Sequence, residues 1–242
     1  KHCMMLENCC YDFFEMLTLN MVRNGMFGEL VHAEGAYIHD LLGLNFDKKG
    51  YQDMWRLKEN IHLNGSLYPT HGLGPIAQCM NINRGDKMDY LVSMSSNDFS
   101  MGPEAEKRAK NDDFYKQFVG KKYRGNMNTT TIKTANGKTL MIQHDVSTPR
   151  PYSRIHLLSG TKGFASKYPE PERIAFNEQW VKDSEMKKLY ETYSPPIMKH
   201  VGEIGKKIGG HGGMDFIMDW RLIDCLRNGL PLDQDVYDAA SW

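Results

Sequence analysis

The chain predicts an α+β fold, a large, mostly antiparallel open sheet with helices packed on one face, and three observations carry that expectation. Short runs rich in β-branched and aromatic residues gather between residues 89 and 165, whereas apolar spacing of three to four residues marks 11–23 and 184–227. Asn136-Gly137 lies between two such runs and signals a hairpin, read as a type I′ turn with two left-handed residues. No Gly-x-Gly-x-x-Gly follows a strand; Gly210-His211-Gly212-Gly213 comes closest, but it follows a helical segment and has the wrong spacing. A dinucleotide-binding fold is therefore not encoded in these residues.

His2-Cys3-Met4-Met5-Leu6 is an apolar run ending in Glu7-Asn8, the pattern of a buried strand whose end carries chemistry. Residues 11–23 repeat Phe14, Leu17 and Met21 at helical spacing, and Gly25 and Gly28 follow where a cap and a turn need positive φ. Residues 29–41 read as a strand bearing Tyr37, His39 and Asp40 near its far end, 43–54 as a polar loop and 55–62 as a short helix. Gly65, Pro69, Gly72, Gly74 and Pro75 read as breakers, an irregular loop leading into a helix over 73–82. Residues 89–95 are a strand, 102–125 a charged, solvated excursion, and 129–134 with 138–144 the hairpin. Further strands are expected over 153–159 and 160–165, ending before Pro169 and Pro171. Helices follow over 184–192, 196–207 and 214–227, the last capped at Gly229. Residues 236–241 read as the middle of a helix and position 1 is Lys, so the chain reads as a piece of a longer protein.

Lys plus Arg and Asp plus Glu number 30 each, a formal charge of zero that argues against a dedicated nucleic-acid binder. No stretch approaches the ~20 apolar residues of a membrane span, and the first residues lack a signal-peptide pattern. The five cysteines are odd in number and show no Cys-x-x-Cys spacing, so they read as buried thiols without a disulfide framework or metal site.

Polar candidates are scattered along the chain. Tyr68-Pro69-Thr70-His71 holds a Tyr and a His three residues apart in a loop at a helix start. Tyr37 and His39 lie two apart on a strand and share a face. Arg56 beside Trp55, Glu7 and Asn8 at a strand end, and Tyr152 between Pro151 and Ser153 complete the set. Each pattern also suits ordinary packing, and no Ser-His-Asp string, nucleophile elbow or P-loop names a reaction.

Longer strings carry a resemblance. Met4-Met5-Leu6-Glu7-Asn8-Cys9-Cys10-Tyr11-Asp12, Gly25-x-x-Gly28-Glu29-Leu30, Tyr68-Pro69-Thr70-His71-Gly72-Leu73-Gly74-Pro75, Asn81-Ile82-Asn83-Arg84-Gly85-Asp86 and His211-Gly212-Gly213-Met214-Asp215 resemble glycoside hydrolase family 109. These are NAD-dependent α-N-acetylgalactosaminidases within the glucose-fructose oxidoreductase and inositol dehydrogenase superfamily. The likeness runs through essentially the whole chain. It implies that residues 1–8 are the last strand of a missing N-terminal dinucleotide-binding domain and that 9–242 form the C-terminal substrate and oligomerisation domain. It further implies NAD as cofactor, touched by Asn8 and Tyr68. A sugar site would be lined by Tyr37, Arg56, Tyr68, Pro69, Thr70, His71 and Tyr152, with Glu7 and His39 close by.

The implied partner is an α-N-acetylgalactosaminyl glycan, and homo-oligomers would form through the open sheet. Tyr37 is expected to be the base at C2, its hydroxyl made more acidic by Arg56 and the nicotinamide charge. His71 would handle the C3 hydroxyl proton or the leaving group. The superfamily more usually has an Asp four residues before the active-site His; here that position is Leu67, and Tyr68 stands three before instead. A sugar dehydrogenase of the same superfamily is the alternative, and a non-catalytic module with an apolar docking patch is a third.

Overall fold

Residues 2–242 are described by a computed structural model. Eight strands form one sheet: β1 (Leu30–Ile38), β2 (Met88–Ser95), β3 (Asn128–Thr134), β4 (Thr139–Asp145), β5 (His156–Gly160), β6 (Gly163–Lys167), β7 (Arg173–Phe176) and β8 (Gln179–Trp180). Their order is β2-β3-β4-β1-β5-β6-β7-β8, antiparallel throughout except for the parallel pair β1 and β4. Period-two patterning decides which face is covered. Ile132, Leu140, Ile142 and Leu158 are buried, while their neighbours along each strand are less so.

Helix α1 (Phe13–Arg23) lays Phe14, Leu17 and Met21 onto the covered face, where full burial of such a side chain contributes about 1.5–3 kcal/mol. Two short helices follow β1, α2 (Leu42–Asn45) and α3 (Trp55–His62), then α4 (Thr70–Cys79) against the sheet and α5 (Met101–Ala109). Later come α6 (Asp183–Tyr193), α7 (Pro196–Ile208), α8 (Met214–Asn228) and α9 (Val236–Ser241). Met186, Leu189 and Tyr190 of α6 join the central core, and α7 and α8 pack on each other beside the 3-10 turn Asn8–Tyr11. No helix of the described residues is long and apolar enough to cross a membrane.

The opposite sheet face is open. Tyr90, Val92 and Met94 of β2 are 62%, 66% and 76% exposed, and Trp180 of β8, edge-on to Phe164, is 53% exposed. Ile204 and Ile208 on α7, and Ile223 and Leu226 on α8, are exposed at helical spacing.

Several expectations need correction. Residues 2–6 are not a buried strand: Met4 makes a single bridge to Asp235, and His2, Cys3 and Leu6 are exposed, because no neighbouring strand among the described residues continues the ladder. Residues 43–54 are not a plain loop, since α2 and the 3-10 turn Gln52–Met54 lie there. The charged excursion carries a buried side: Met101, Ala105, Tyr115 and Phe118 close over Phe46 and Leu57, Lys107 is outward on Glu104, and Arg108 donates to the Phe46 carbonyl. The Asn136-Gly137 hairpin exists, but its loop has three residues and only Gly137 is left-handed (φ 87°). The two-residue turn with both φ positive sits instead at Asn177-Glu178, joining β7 to β8, neither of which the apolar pattern disclosed.

The largest correction concerns Gly72 and Gly74, which do not break α4 but lie inside it. A Cβ on Gly72 would sit 2.3 Å from the backbone nitrogen of Ala36, and one on Gly35 would sit 2.2 Å from the carbonyl oxygen of Gly72. Backbone rests on backbone, so α4 starts at Thr70, three residues before the expected point. Gly72→Ala is expected to cost about 3 kcal/mol by overpacking. Gly25→Ala, with positive φ but open space, should cost about 1 kcal/mol. Denaturant unfolding of both variants measures the difference; equal losses would show that the close approach carries no special energy.

Candidate functional site

The glycine contact decides what stands beside it. Alternation along β1 puts Tyr37 on the same face as Gly35, and His71 immediately precedes Gly72, so the Tyr37 and His71 rings meet edge to face at 5.1 Å. Tyr68 completes a three-ring cluster, 5.0 Å from Tyr37 and 4.6 Å from His71. His39 extends the alternation beyond β1, placing its Nδ1 3.4 Å from the Tyr37 hydroxyl and its ring 4.9 Å from Tyr152. Arg56, in the first turn of α3, lies 5.5 Å from the Tyr68 ring and also over Tyr51 and Trp55. A guanidinium on aromatic faces is held in place while its charge still acts on the phenols.

Beneath the rings lies Glu7, 2% exposed, whose Oε1 accepts from the Cys9 N–H and from His71 Nδ1 at 2.8 Å. Burial opposes ionisation, but His71, Thr70 and the Cys9 N–H outweigh it and hold Glu7 below the usual carboxylate range. A carboxylate can only accept, so Nδ1 of His71 carries the proton of this hydrogen bond, and Nε2 lies on the other side of the ring from Glu7. Tyr37 is held above the ordinary phenol range: burial outweighs Arg56, which acts to lower it as expected. Burial and the nearby Glu7 push Tyr68 up to about 12. Burial, then Arg56, pushes His39 down.

Asn8 turns its amide to Asp215 Oδ1 at 2.6 Å, while Asp215 Oδ2 takes His211 Nδ1 at 2.7 Å. The His211-Gly212-Gly213-Met214-Asp215 string is thus bonded directly to the Glu7-Asn8 segment. Pro69 lines a separate hollow with Leu73 and Ile132, and its carbonyl accepts the Leu73 N–H of α4. Donor atoms of Glu7, Cys9 and His71 fall within 4.8 Å of one another, a grouping that cysteine spacing gave no hint of. Burial pushes the Cys9 thiol well up, and Glu7 and His71 already satisfy each other, so the cluster reads as a hydrogen-bonded relay.

One site residue escaped the sequence reading. His144 is paired with Tyr37 in the parallel β1–β4 register, 1% exposed, its ring 6.0 Å from the Tyr37 ring. Its period-two relation to Ile142 was visible, but the parallel pairing that sets it beside Tyr37 was not. Burial, then Arg124 and Arg56, pushes His144 down to about 3.

The fold is that of the C-terminal α+β domain of the glucose-fructose oxidoreductase type. The structure of levoglucosan dehydrogenase in complex with NADH and levoglucosan superposes with a TM-score of 0.59 at 14% identity, over 95% of this chain and 59% of that one. Residues 11–242 match the model of the glycosyl hydrolase 109 C-terminal domain. The chain belongs to glycosyl hydrolase family 109. It is 49% identical over 248 residues to an α-N-acetylgalactosaminidase of Bacteroides fragilis and 47% identical over 263 residues to glycosyl hydrolase family 109 protein 5 of Phocaeicola vulgatus. It spans all of its own length but only 58% and 49% of theirs.

His144 supplies a pH test. Its folded pKa of about 3 lies below the unfolded value of about 6.5, so its contribution is full above pH 6.5 and lost as pH falls toward 3. Between pH 4 and 6, His144→Gln should flatten stability against pH by about 1.4 kcal/mol per pH unit. Denaturant midpoints across that range measure it; an unchanged slope would mean that His144 is protonated in the folded state.

Proposed function

We propose that the intact protein, in which this chain follows a nucleotide-binding domain, removes terminal α-linked N-acetylgalactosamine by oxidation at C3, elimination, water addition and reduction, with NAD recycled. Membership of the family and the name of the Bacteroides relative support the sugar. The carrying observation is the set of rings around one buried carboxylate, Tyr37 and His71 in edge contact with His71 held by Glu7. Such a set moves protons, and this route is one of the NAD-dependent exceptions to hydrolysis by two carboxylates.

NAD, when bound, supplies the acceptor and later the donor of the C3 hydride. The residues fit such a group: Tyr68 is partly exposed beside His71, and Asn8, next to Glu7 in the chain, is partly exposed with its amide held by Asp215. The proton work falls to this chain. His71 Nε2 takes the C3 hydroxyl proton, its ring oriented by Glu7. The resulting ketone acidifies the C2 proton, and Tyr37 takes that proton. The raised pKa of Tyr37 makes the protonated phenol its resting state, so its proton first passes to His39 Nδ1, 3.4 Å away, and Arg56 stabilises the phenolate that then acts as base. The C1 oxygen then leaves with the proton held on His71 Nε2, and water adds across C1 and C2, its hydroxyl to C1 and its proton to C2, before reduction. Arg56, Thr70, His39 and Tyr152 border the sugar, and Pro69 fixes the turn into α4.

Residues 1–8 lead in from the nucleotide domain, and the exposed stripes on α7 and α8 give that domain a surface to cover. Two chains pair through the open sheet face, whose β2 edge presents Tyr90, Val92 and Met94. Tyr90→Glu with Met94→Glu should give monomers in sedimentation; an unchanged assembly would place the contact elsewhere.

The deciding assay incubates the intact protein with NAD⁺ and an aryl α-N-acetylgalactosaminide in heavy water. Aglycone release with deuterium at C2 and no net NADH is expected. NADH accumulation without aglycone would overturn the reading in favour of a sugar dehydrogenase. Tyr37→Phe should abolish C2 exchange; if exchange persists, Tyr37 is not the base.

A further inference from the structure

Arg124, at the end of the charged excursion, is 3% exposed, and each nitrogen of its guanidinium donates to a neutral oxygen. Nε reaches Asn60 Oδ1 at 2.8 Å, Nη1 the Gly65 carbonyl at 2.9 Å and Nη2 the Asn126 carbonyl at 3.1 Å. Burial pulls its pKa down to about 10 against Asp145 and Asp98, which act on it through space, so it stays charged at neutral pH. A charge taken out of water and given only neutral partners is costly to keep. What it gains is reach: a planar fork with fixed directions joins three segments at once, which a lysine ammonium does not.

The first two segments belong to α3 and the loop after it. Asn60, fully buried on α3, passes the bond on: its amide donates to the Arg56 carbonyl at 2.7 Å, one turn back, and its own carbonyl accepts the Arg124 N–H at 2.7 Å. Gly65 lies in the loop that leads from α3 to Tyr68. The third segment is the anchor. Asn126 takes the Phe99 N–H on its Oδ1 and donates to the Ser100 and Ser147 hydroxyls, which ties it to the start of α5 and to the residues after β4. At its other end α3 is entered through Asp53 and Met54, two successive non-glycine residues at φ 54° and 49°, so that end does not hold it in a relaxed backbone.

We propose that Arg124 is a positioning residue for the reaction: it clamps α3 and the loop after it onto the sheet side of the domain, and through Asn60 it sets the place of Arg56 at the sugar. The clamp stands on its own geometry; the work that Arg56 does rests on the glycosidase reading above. Arg56 stabilises the Tyr37 phenolate only while that charge exists, so its displacement lowers kcat more than it raises KM.

Amide hydrogen exchange of the intact protein is compared for the wild type, Arg124→Met and Arg124→Lys, the last of which keeps the charge but not the fork. Both variants should exchange residues 55–66 at least about tenfold faster while α1 and β4 are unchanged. Unchanged protection of 55–66, or equal loss across the whole chain, overturns the proposal. If Arg124→Met does not fold, Arg124→Lys carries the comparison. Kinetics with NAD⁺ and the aryl α-N-acetylgalactosaminide then test transmission. Each variant should lower kcat about 10- to 100-fold with KM changed by less than about threefold. That loss should vanish when Arg56→Met is already present; losses that add in full overturn the proposal, because Arg124 then does not act through Arg56. If the wild type accumulates NADH without releasing aglycone, the glycosidase reading fails, and the same double-mutant cycle on NADH formation decides the clamp. The exchange measurement needs no turnover and stands whichever reaction the protein catalyses.

Discussion

The contact between Gly35 and Gly72 governs this structure. Two elements of ordinary composition cannot bring backbone to within van der Waals distance of backbone, because their Cβ atoms hold them apart. Removing both Cβ atoms lets α4 settle on β1, and its depth there sets what the neighbouring residues can reach. Tyr37, two residues beyond Gly35, and His71, one residue before Gly72, become ring neighbours as a geometric consequence. Gly74, one turn further on from His71, leaves room for Glu7, whose Cγ would be 3.0 Å from an added Cβ. Thus one surface of a single helix seats both the imidazole and the carboxylate that orients it.

Electrostatics follow from that seating. Burial alone would neutralise Glu7, yet three donors converge on it and keep it ionised, and its Oε1 holds Nδ1 of His71 and so orients the ring. Around this one anion the phenols of Tyr37 and Tyr68 are raised and the imidazoles of His39 and His144 are lowered, all first by burial. The site at rest is a set of neutral rings over a charged floor, with Arg56 at the rim.

Much of the architecture could be read from the residues. Phe14, Leu17 and Met21 marked α1, Tyr37 and His39 shared a face as their spacing required, and Asn136-Gly137 lay between paired strands. The failures share a cause: a local pattern carried a long-range reason. Gly72 and Gly74 looked like helix breakers because nothing nearby shows the strand they rest on. The apolar run at 2–6 looked like a strand, but a strand is made by its neighbours. β7 and β8 were missed because they are four and two residues long, joined by Asn177-Glu178 without the expected glycine. His144 was invisible as a site residue because the parallel pairing of β1 with β4 crosses about a hundred residues of chain. Arg56 was found, but not the burial that outweighs it at Tyr37, because burial of the phenol depends on packing from three elements.

The two margins of the sheet differ in a way that bears on handling this domain in solution. β8 offers two residues of unpaired backbone, too few to template another strand, and Arg173 lies over its Trp180. β2 offers eight, with Tyr90, Leu91, Val92 and Met94 bare and only Asp89 as a charge within its span. The register against β3 shifts between Met88 and Tyr90, but from Tyr90 onward the margin is regular and uncharged and can accept a strand from another molecule. Clumping of the domain at high concentration therefore begins along one margin, and shielding β2 is the direct way to keep preparations clear.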